Sequence, residues 1–120
     1  MKAALKGMSV GDLVALFEKN ALEQDDAIFK ERIFKFKKLY PLMLAIRAEL
    51  SRRGSRASLT KLYDHENMQV KLQAAMATLI VAPVEARRVI EAISKTGWMP
   101  QAADAKETIR LLDSGFFKPS

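Results

Sequence analysis

His65 is the residue whose type most readily does chemistry near neutral pH, and it lies between Asp64 and Glu66. This triplet could supply a metal ligand or a proton carrier. A metal site needs three or four converging ligands, and the sequence has no second histidine and no cysteine. We therefore expect His65 to be a turn residue that caps or links two helices, and we expect no metal and no cofactor.

The other polar residues form no catalytic motif. The sequence lacks a glycine-rich phosphate loop, a dinucleotide-binding glycine pattern and a zinc-protease motif. A serine triad needs a histidine, and His65 in a polar turn is a poor candidate for that role. The segment Arg52-Arg53-Gly54-Ser55 resembles a kinase substrate, but a helix stop followed by an N-cap explains the same residues. The sequence therefore indicates a protein that is not an enzyme.

A basic segment over 30–56 is the strongest binding signal. It carries nine Lys or Arg residues against two Glu, in a chain whose formal net charge is +6. Cations at this density attract polyanions or acidic proteins. At about 100° per residue, several of them lie around Phe34 and opposite the apolar stripe of the helix predicted there. The candidate interaction surface comprises Lys30, Phe34, Lys37, Lys38, Arg52, Arg53 and Arg56.

Two functions remain open for this surface. We favour presentation of a rigid helical face to an acidic protein partner; the alternative is a nucleic-acid-binding module in which Phe34 stacks on a base. If the segment has no binding function, its lysines are simply exposed to solvent. In that interpretation, which we favour for Phe34, its side chain is buried against the first helix or the Phe116-Phe117 tail. Trp98 and Met99 could anchor a partner, but we expect Trp98 to close the end of the core.

Helical apolar spacing runs through the N-terminal half of the chain. Ser9 is the expected N-cap of a first helix, and Asp25-Asp26 suits the boundary to a longer helical region over 27–53. Pro41 either kinks that region or breaks it into two helices. Gly54 should end it. The apolar stripe expected to face the core comprises Phe29, Ile33, Phe36, Tyr40, Met43 and Leu50.

Residues 55–113 alternate helices with short connections. Asn67 is an expected N-cap, Pro83 suits a first helical turn, and Gly97 and Gly115 suit helix stops. This order gives antiparallel helix pairs of the size found in HEAT-type solenoids, in which neighbouring pairs must stack to bury their apolar faces. We expect an all-α fold of five or six helices, a short right-handed HEAT-like stack that follows an N-terminal helical hairpin.

A chain of 120 residues is expected to form one domain. We expect 1–8 to be flexible, 9–53 to be the hairpin, 55–113 to be the HEAT-like pairs and 114–120 to be a tail. No apolar run approaches the roughly 18 to 20 residues of a membrane span. The cysteine-free composition favours a reducing compartment, so we expect a cytoplasmic protein with no membrane partner. A homodimer through an end helix or Phe116-Phe117 is left open.

Several short motifs follow one another in a characteristic order over about residues 9–112. They are Ser9–Phe17, Glu49–Gly54, Leu59, Leu62, His65, Val70–Ala75, Ala82-Pro83, Glu85-Ala86, Ala105 and Thr108-Ile109. In this order they resemble a bacterial family of small HEAT-like proteins, the domain-of-unknown-function family two-thousand-nineteen. The resemblance implies an all-helical HEAT-like fold, with no established activity, substrate, cofactor or catalytic residue. The chain departs from the pattern at Lys71, where arginine is commoner, at Leu111-Leu112, where tryptophan is common, and at Pro41.

Overall fold

The computed structural model describes residues 2–120, and all the regular secondary structure among those residues is helical, with no strand. Its elements are α1 (Lys2–Lys6), α2 (Val10–Phe29), α3 (Ile33–Arg52), a 3₁₀ helix (Arg56–Asp64), α4 (Met68–Thr78), α5 (Pro83–Ser94) and α6 (Gln101–Ser114). The predicted all-α class is confirmed. The predicted count of five or six helices is too low, because we expected no helix within 1–8. Residue 1 of that segment lies outside the described residues.

The chain comprises two compact units, residues 1–58 and 59–120, which we call unit 1 and unit 2. Unit 1 contains α1, α2 and α3, and unit 2 contains α4, α5 and α6. The boundary between them lies within the 3₁₀ helix. The sequence prediction placed the change from hairpin to helix pairs between 53 and 55, a few residues earlier.

Helix α2 begins where it was predicted to begin but continues beyond its predicted end. The Ser9 hydroxyl oxygen accepts a hydrogen bond from the Asp12 backbone N–H at 3.0 Å, which satisfies one of the unpaired donors at the helix start. Asp25-Asp26 is not a boundary, because the helical ladder runs on and the Asp26 carbonyl accepts from the Lys30 N–H at 3.0 Å. The chain reverses only at Glu31, whose φ of 56° lies in the left-handed region.

Helix α3 is one continuous helix that contains Pro41, so the break into two helices does not occur. Pro41 has no backbone N–H, and it therefore leaves the carbonyl of Lys37 without its usual partner. Pro41 lies on the exposed side of α3, where water can take that role. On the inner side, Asn20 of α2 donates from Nδ2 to the Leu39 carbonyl at 3.0 Å.

The core of unit 1 lies between α2 and α3. The fully buried apolar side chains that these helices contribute are Leu13, Phe17, Ala21, Met43, Ile46 and Leu50. The predicted α3 stripe is correct at Met43 and Leu50 and wrong at Ile33 and Tyr40, which are exposed, as is Phe29 at the end of α2. The reason is that α3 carries apolar residues around much of its circumference, whereas α2 covers only one face.

Unit 2 follows the predicted helix ends closely. The Asn67 side-chain oxygen accepts from the backbone N–H groups of Gln69 and Val70 at 2.9 and 3.1 Å, so Asn67 caps α4. Pro83 opens α5. Gly97 and Gly115 have φ values of 70° and 76°, which suit glycine at a helix end. The buried core of unit 2 comprises Leu72, Ala75, Leu79, Ala86, Ile90, Ile93 and Ala105.

Candidate functional site

Four of the seven predicted surface residues lie at or near the turn between α2 and α3. Lys30, Phe34, Lys37 and Lys38 are all exposed. The Lys30 ammonium forms an ion pair with Asp26 at 3.2 Å, and both side chains are about half exposed. Such a surface pair contributes little to stability.

Phe34 is 77% exposed, which corrects the prediction that it would be buried. It follows the start of α3 by one residue and lies on the side of the helix that faces away from α2. Neither Lys37 nor Lys38 forms an ion pair within the described residues. An exposed aromatic ring beside uncompensated lysines can contact an apolar side chain or stack on a planar group.

Arg52 and Arg53, at the end of α3, both bind Glu49. Arg52 Nη2 donates to Glu49 Oε2 at 2.5 Å, and Arg53 Nε donates to the same oxygen at 2.7 Å. Hydrogen bonds from Arg52 and then Arg53 lower the pKa of Glu49 to about 2. The carboxylate side chain is only 8% exposed. The negative charge of Glu49 is therefore neutralised inside the unit and is not presented on its surface.

The Arg53 side chain is also turned toward α1. Its guanidinium donates to three backbone carbonyl oxygens at or just after the end of α1: Met8 at 2.5 Å, Leu5 at 2.9 Å and Lys6 at 3.0 Å. The last carbonyls of a helix lack partners within the helix, and an arginine can supply them. Arg53 therefore holds α1 in place, a role that was not predicted from the sequence.

Arg56 is not on the surface. It is 7% exposed, and its Nη2 donates to the Arg47 carbonyl oxygen at 3.0 Å. Burial lowers the pKa of Arg56, and the nearby positive charge of Arg47 lowers it further. Of the seven predicted residues, Lys30, Phe34, Lys37, Lys38 and Arg52 are thus exposed, whereas Arg53 and Arg56 bind the interior of unit 1.

Exposed apolar residues accompany the cations on α3. Ile33, Tyr40 and Leu44 are 60%, 40% and 44% exposed. The Tyr40 ring stacks on Phe36, with ring centroids 6.4 Å apart. Seven exposed residues of α3 form what we call the hairpin surface: Ile33, Phe34, Lys37, Lys38, Tyr40, Leu44 and Arg52. The sequence prediction placed Ile33 and Tyr40 in the core. The sequence also shows that these two residues form a second apolar stripe with Leu44, and this stripe could have indicated an exposed apolar face.

His65 is a turn residue, as expected. Its Nδ1 accepts a hydrogen bond from the Asn67 backbone N–H at 2.9 Å and so supports the residue that caps α4. In residues 2–120, no three His, Cys, Asp or Glu side chains converge in a way that could hold a metal ion.

Trp98 was predicted to close the end of the core, and the structure shows otherwise. Trp98 and Met99 are 61% and 65% exposed, so Trp98 does not close the core. In the tail, Phe117 packs partly against the core of unit 2, while Phe116 is exposed. These residues belong to unit 2.

Over the part of the chain that the structure describes, every helix is too short or too polar to span a bilayer.

Comparison with known proteins gives a family but no activity. The crystal structure of the protein RPA1889 from Rhodopseudomonas palustris CGA009 is similar to this chain, with 48% sequence identity and a TM-score of 0.92. The similarity covers 97% of this chain and 98% of that one. No curated protein matches the chain. The model of the family described as Domain of unknown function (DUF2019) matches residues 11–113, and the chain belongs to that family.

Proposed function

We propose that the chain is a non-enzymatic protein-interaction domain that presents the hairpin surface to an acidic partner protein. A rigid helix is suited to this role because its side chains are already ordered, so that binding costs less conformational entropy. The α2–α3 pair provides that rigidity through its buried core.

The observation that carries the proposal is the distribution of charge on α3. Between residues 32 and 52 the only carboxylate is Glu49, and Arg52 and Arg53 neutralise it. Lys37 and Lys38 are exposed beside the apolar side chains of the hairpin surface. Opposite charge across an interface steers a partner toward it and suppresses wrong partners, so an acidic surface is the best complement.

The test is capture of partners by the immobilised chain and by a charge-reversed variant, Lys37→Glu with Lys38→Glu. A matched control is Lys95→Glu with Lys106→Glu, which makes the same change of net charge at two exposed positions of unit 2. We expect an acidic protein, identified by mass spectrometry and then purified, to bind the wild type and the control but not the first variant. Equal binding by all three forms would count against the hairpin surface.

A nucleic-acid-binding module is the second candidate, and the exposure of Phe34 favours it. A ring that is 77% exposed among lysines could stack on a base of a single strand. Titration with a labelled duplex and a labelled single strand at two salt concentrations tests this function. Phosphate contacts predict binding that weakens steeply with salt, and absence of binding at low salt would remove the candidate.

We also propose that unit 2 is HEAT-like. The support is the full burial of the small residues Ala74 and Ala75 and the Asn67-capped turn before them. Superposition of α4 and α5 on solved HEAT pairs is the measurement that decides it. The cytoplasmic location and the homodimer remain predictions; the mass of the chain in solution, measured by light scattering at high concentration, tests the latter.

A further inference from the structure

A seam of four residues runs along the exposed side of α3. Ile33, Lys37, Tyr40 and Leu44 are separated by four, three and four positions. At about 100° per residue they fall within an arc of about 60°, roughly 120° around the helix from the buried stripe. The three apolar members are 60%, 40% and 44% exposed. We call these four residues the α3 seam.

This spacing is that of a helix that packs against another helix. Alternating intervals of four and three residues place side chains at the a and d positions of a heptad, which interlock with a facing helix. The seam is about 16 Å long at 1.5 Å per residue. Helix α1 borders α3 further along, at Ala45 and Ala48, where α1 and α3 line a cleft of about 190 Å³. The seam itself remains exposed to solvent.

The positive charge of α3 limits the kinds of molecule that could bind the α3 seam. Lys37 lies within the seam, and no carboxylate of α3 remains unneutralised. A second copy of the chain would place lysine against lysine, which opposes pairing through this face. A nucleic-acid backbone could pair with the lysines but would leave Ile33 and Leu44 against hydrated phosphates.

We infer that the α3 seam accepts one helix of a partner protein, apolar along one stripe and acidic along both sides of that stripe. This inference rests on the proposed function and specifies the partner's chemistry. The apolar stripe covers Ile33, Tyr40 and Leu44. The flanking Asp or Glu residues pair with Lys37. Lys37, as a charged residue at an a-type position, fixes the register of the incoming helix.

The experiment uses three labelled synthetic helical peptides of about three heptads. The first has Leu at its a and d positions and Glu at the flanking positions; the second has Lys in place of Glu; the third has the composition of the first in scrambled order. Binding to the full chain is followed by fluorescence anisotropy and by NMR shifts of backbone amides. We expect the first peptide alone to bind, with the largest amide shifts in residues 33–44.

Two single variants give the matched comparison. Leu44→Ser removes an apolar member of the seam, whereas Leu22→Ser changes a residue of α2 that is 40% exposed and lies outside it. We expect Leu44→Ser to weaken binding about tenfold and Leu22→Ser to leave it unchanged. Lys37→Glu should weaken binding of the Glu-flanked peptide and allow binding of the Lys-flanked one, because specificity here is electrostatic.

Several outcomes would overturn the inference. Equal binding of the scrambled peptide would show that binding comes from general attraction between charges and not from the spacing of the α3 seam. Anionic vesicles or a DNA duplex that bind in a Leu44-dependent manner, where the first peptide does not, would assign the surface to another class of partner. A wild-type dimer that Leu44→Ser dissociates would make the seam a self-interface.

Failure of the inference can be distinguished from failure of the proposed function. A captured protein whose binding depends on Lys37 and Lys38, but is unaffected by Leu44→Ser, would leave the proposed function standing and remove the seam. If no captured protein depends on the lysines, the proposed function fails whatever the peptides do.

Discussion

Arg53 donates a hydrogen bond from Nη2 to the carbonyl oxygen of Leu5 at 2.9 Å, and this bond joins the end of α3 to the end of α1. The same guanidinium reaches the carbonyls of Lys6 and Met8. Helix α1 has only five residues, too few for an isolated helix to be stable in water. Its position therefore depends on Arg53 and on burial of the Leu5 side chain, which is 3% exposed.

Replacement of Arg53 should release α1. We expect Arg53→Ala to lower the free energy of unfolding by roughly 2 kcal/mol, because it removes several hydrogen bonds from a charged donor in a partly buried setting. Amide hydrogen exchange in α1 should accelerate as well. The matched control is Arg52→Ala, whose side chain is 59% exposed and whose loss should lower stability much less than the loss of Arg53. Equal effects of the two variants on unfolding and on α1 would contradict the role of Arg53.

The lowered pKa of Glu49 predicts that the free energy of unfolding falls in acid. Its pKa falls from the ordinary value of 4.5 to about 2 in the folded chain. A group with a lowered pKa in the folded state stabilises the fold above the pKa of the unfolded state, and this contribution is lost as the pH falls through the folded value. The contribution of Glu49 should therefore be complete above about pH 4.5 and disappear toward pH 2.

Urea unfolding of the wild type and of Glu49→Gln between pH 7 and pH 2 measures this contribution. Glu107 and Asp113 also have lowered pKa values, because each accepts hydrogen bonds from an arginine. The relevant quantity is therefore the difference between the two proteins. We expect that difference to be largest at neutral pH and to shrink below pH 4.5. A constant difference across this range would exclude Glu49 as its source.

Helix ends were predictable from the sequence because their chemistry is local. Ser9 and Asn67 cap helices within three residues of themselves, and Gly54, Gly97 and Gly115 adopt the positive φ values that end helices. The groups that form such features lie within a few residues of one another in the sequence. The boundary proposed at Asp25-Asp26 failed because paired aspartates tolerate a helix interior, whereas the actual turn at Glu31 carries no strong turn signal.

The buried faces and the role of Arg53 were not predictable in the same way. Helix α3 has apolar residues on two sides, and only the position of α2 decides that Met43 faces inward and Leu44 faces solvent. Arg53 contacts carbonyls that lie 45 to 48 residues earlier in the chain. A cation at the end of a helix is equally well explained by the helix dipole. These contacts depend on tertiary packing, which apolar spacing alone does not encode.

Substitution by alanine should destabilise the chain strongly at Phe17 and hardly at all at Phe34. Phe17 is fully buried between α2 and α3, whereas Phe34 is 77% exposed. Phe17→Ala should lower the free energy of unfolding by roughly 3 to 5 kcal/mol, through lost transfer energy and an unfilled cavity. Phe34→Ala should change it by less than about 0.5 kcal/mol. Denaturant unfolding measures both, and a large loss for Phe34→Ala would mean that its ring is covered in solution.

Ala75 should not tolerate a larger side chain. It is fully buried in the core of unit 2, so the extra methyl groups of Ala75→Leu would push neighbouring helices apart at a cost of roughly 1 to 3 kcal/mol. Ala92→Leu is the matched control, since Ala92 lies on α5 and is exposed, and leucine and alanine both favour helices. Thermal unfolding of the two variants tests this, and a stable Ala75→Leu protein would show that the core of unit 2 has room.

Asn67 and His65 should contribute to stability and not to a metal site. Asn67→Ala removes the oxygen that accepts from Gln69 and Val70 and should cost about 1 kcal/mol. Asn67→Asp keeps an acceptor at the helix start and should be nearly neutral. His65→Ala removes the acceptor for the Asn67 N–H, which is a single neutral hydrogen bond, so its cost should be smaller, at about 0.5 kcal/mol. Denaturant unfolding with and without added zinc distinguishes the two roles, because a metal ligand would make the wild type, but not His65→Ala, more stable when zinc is present.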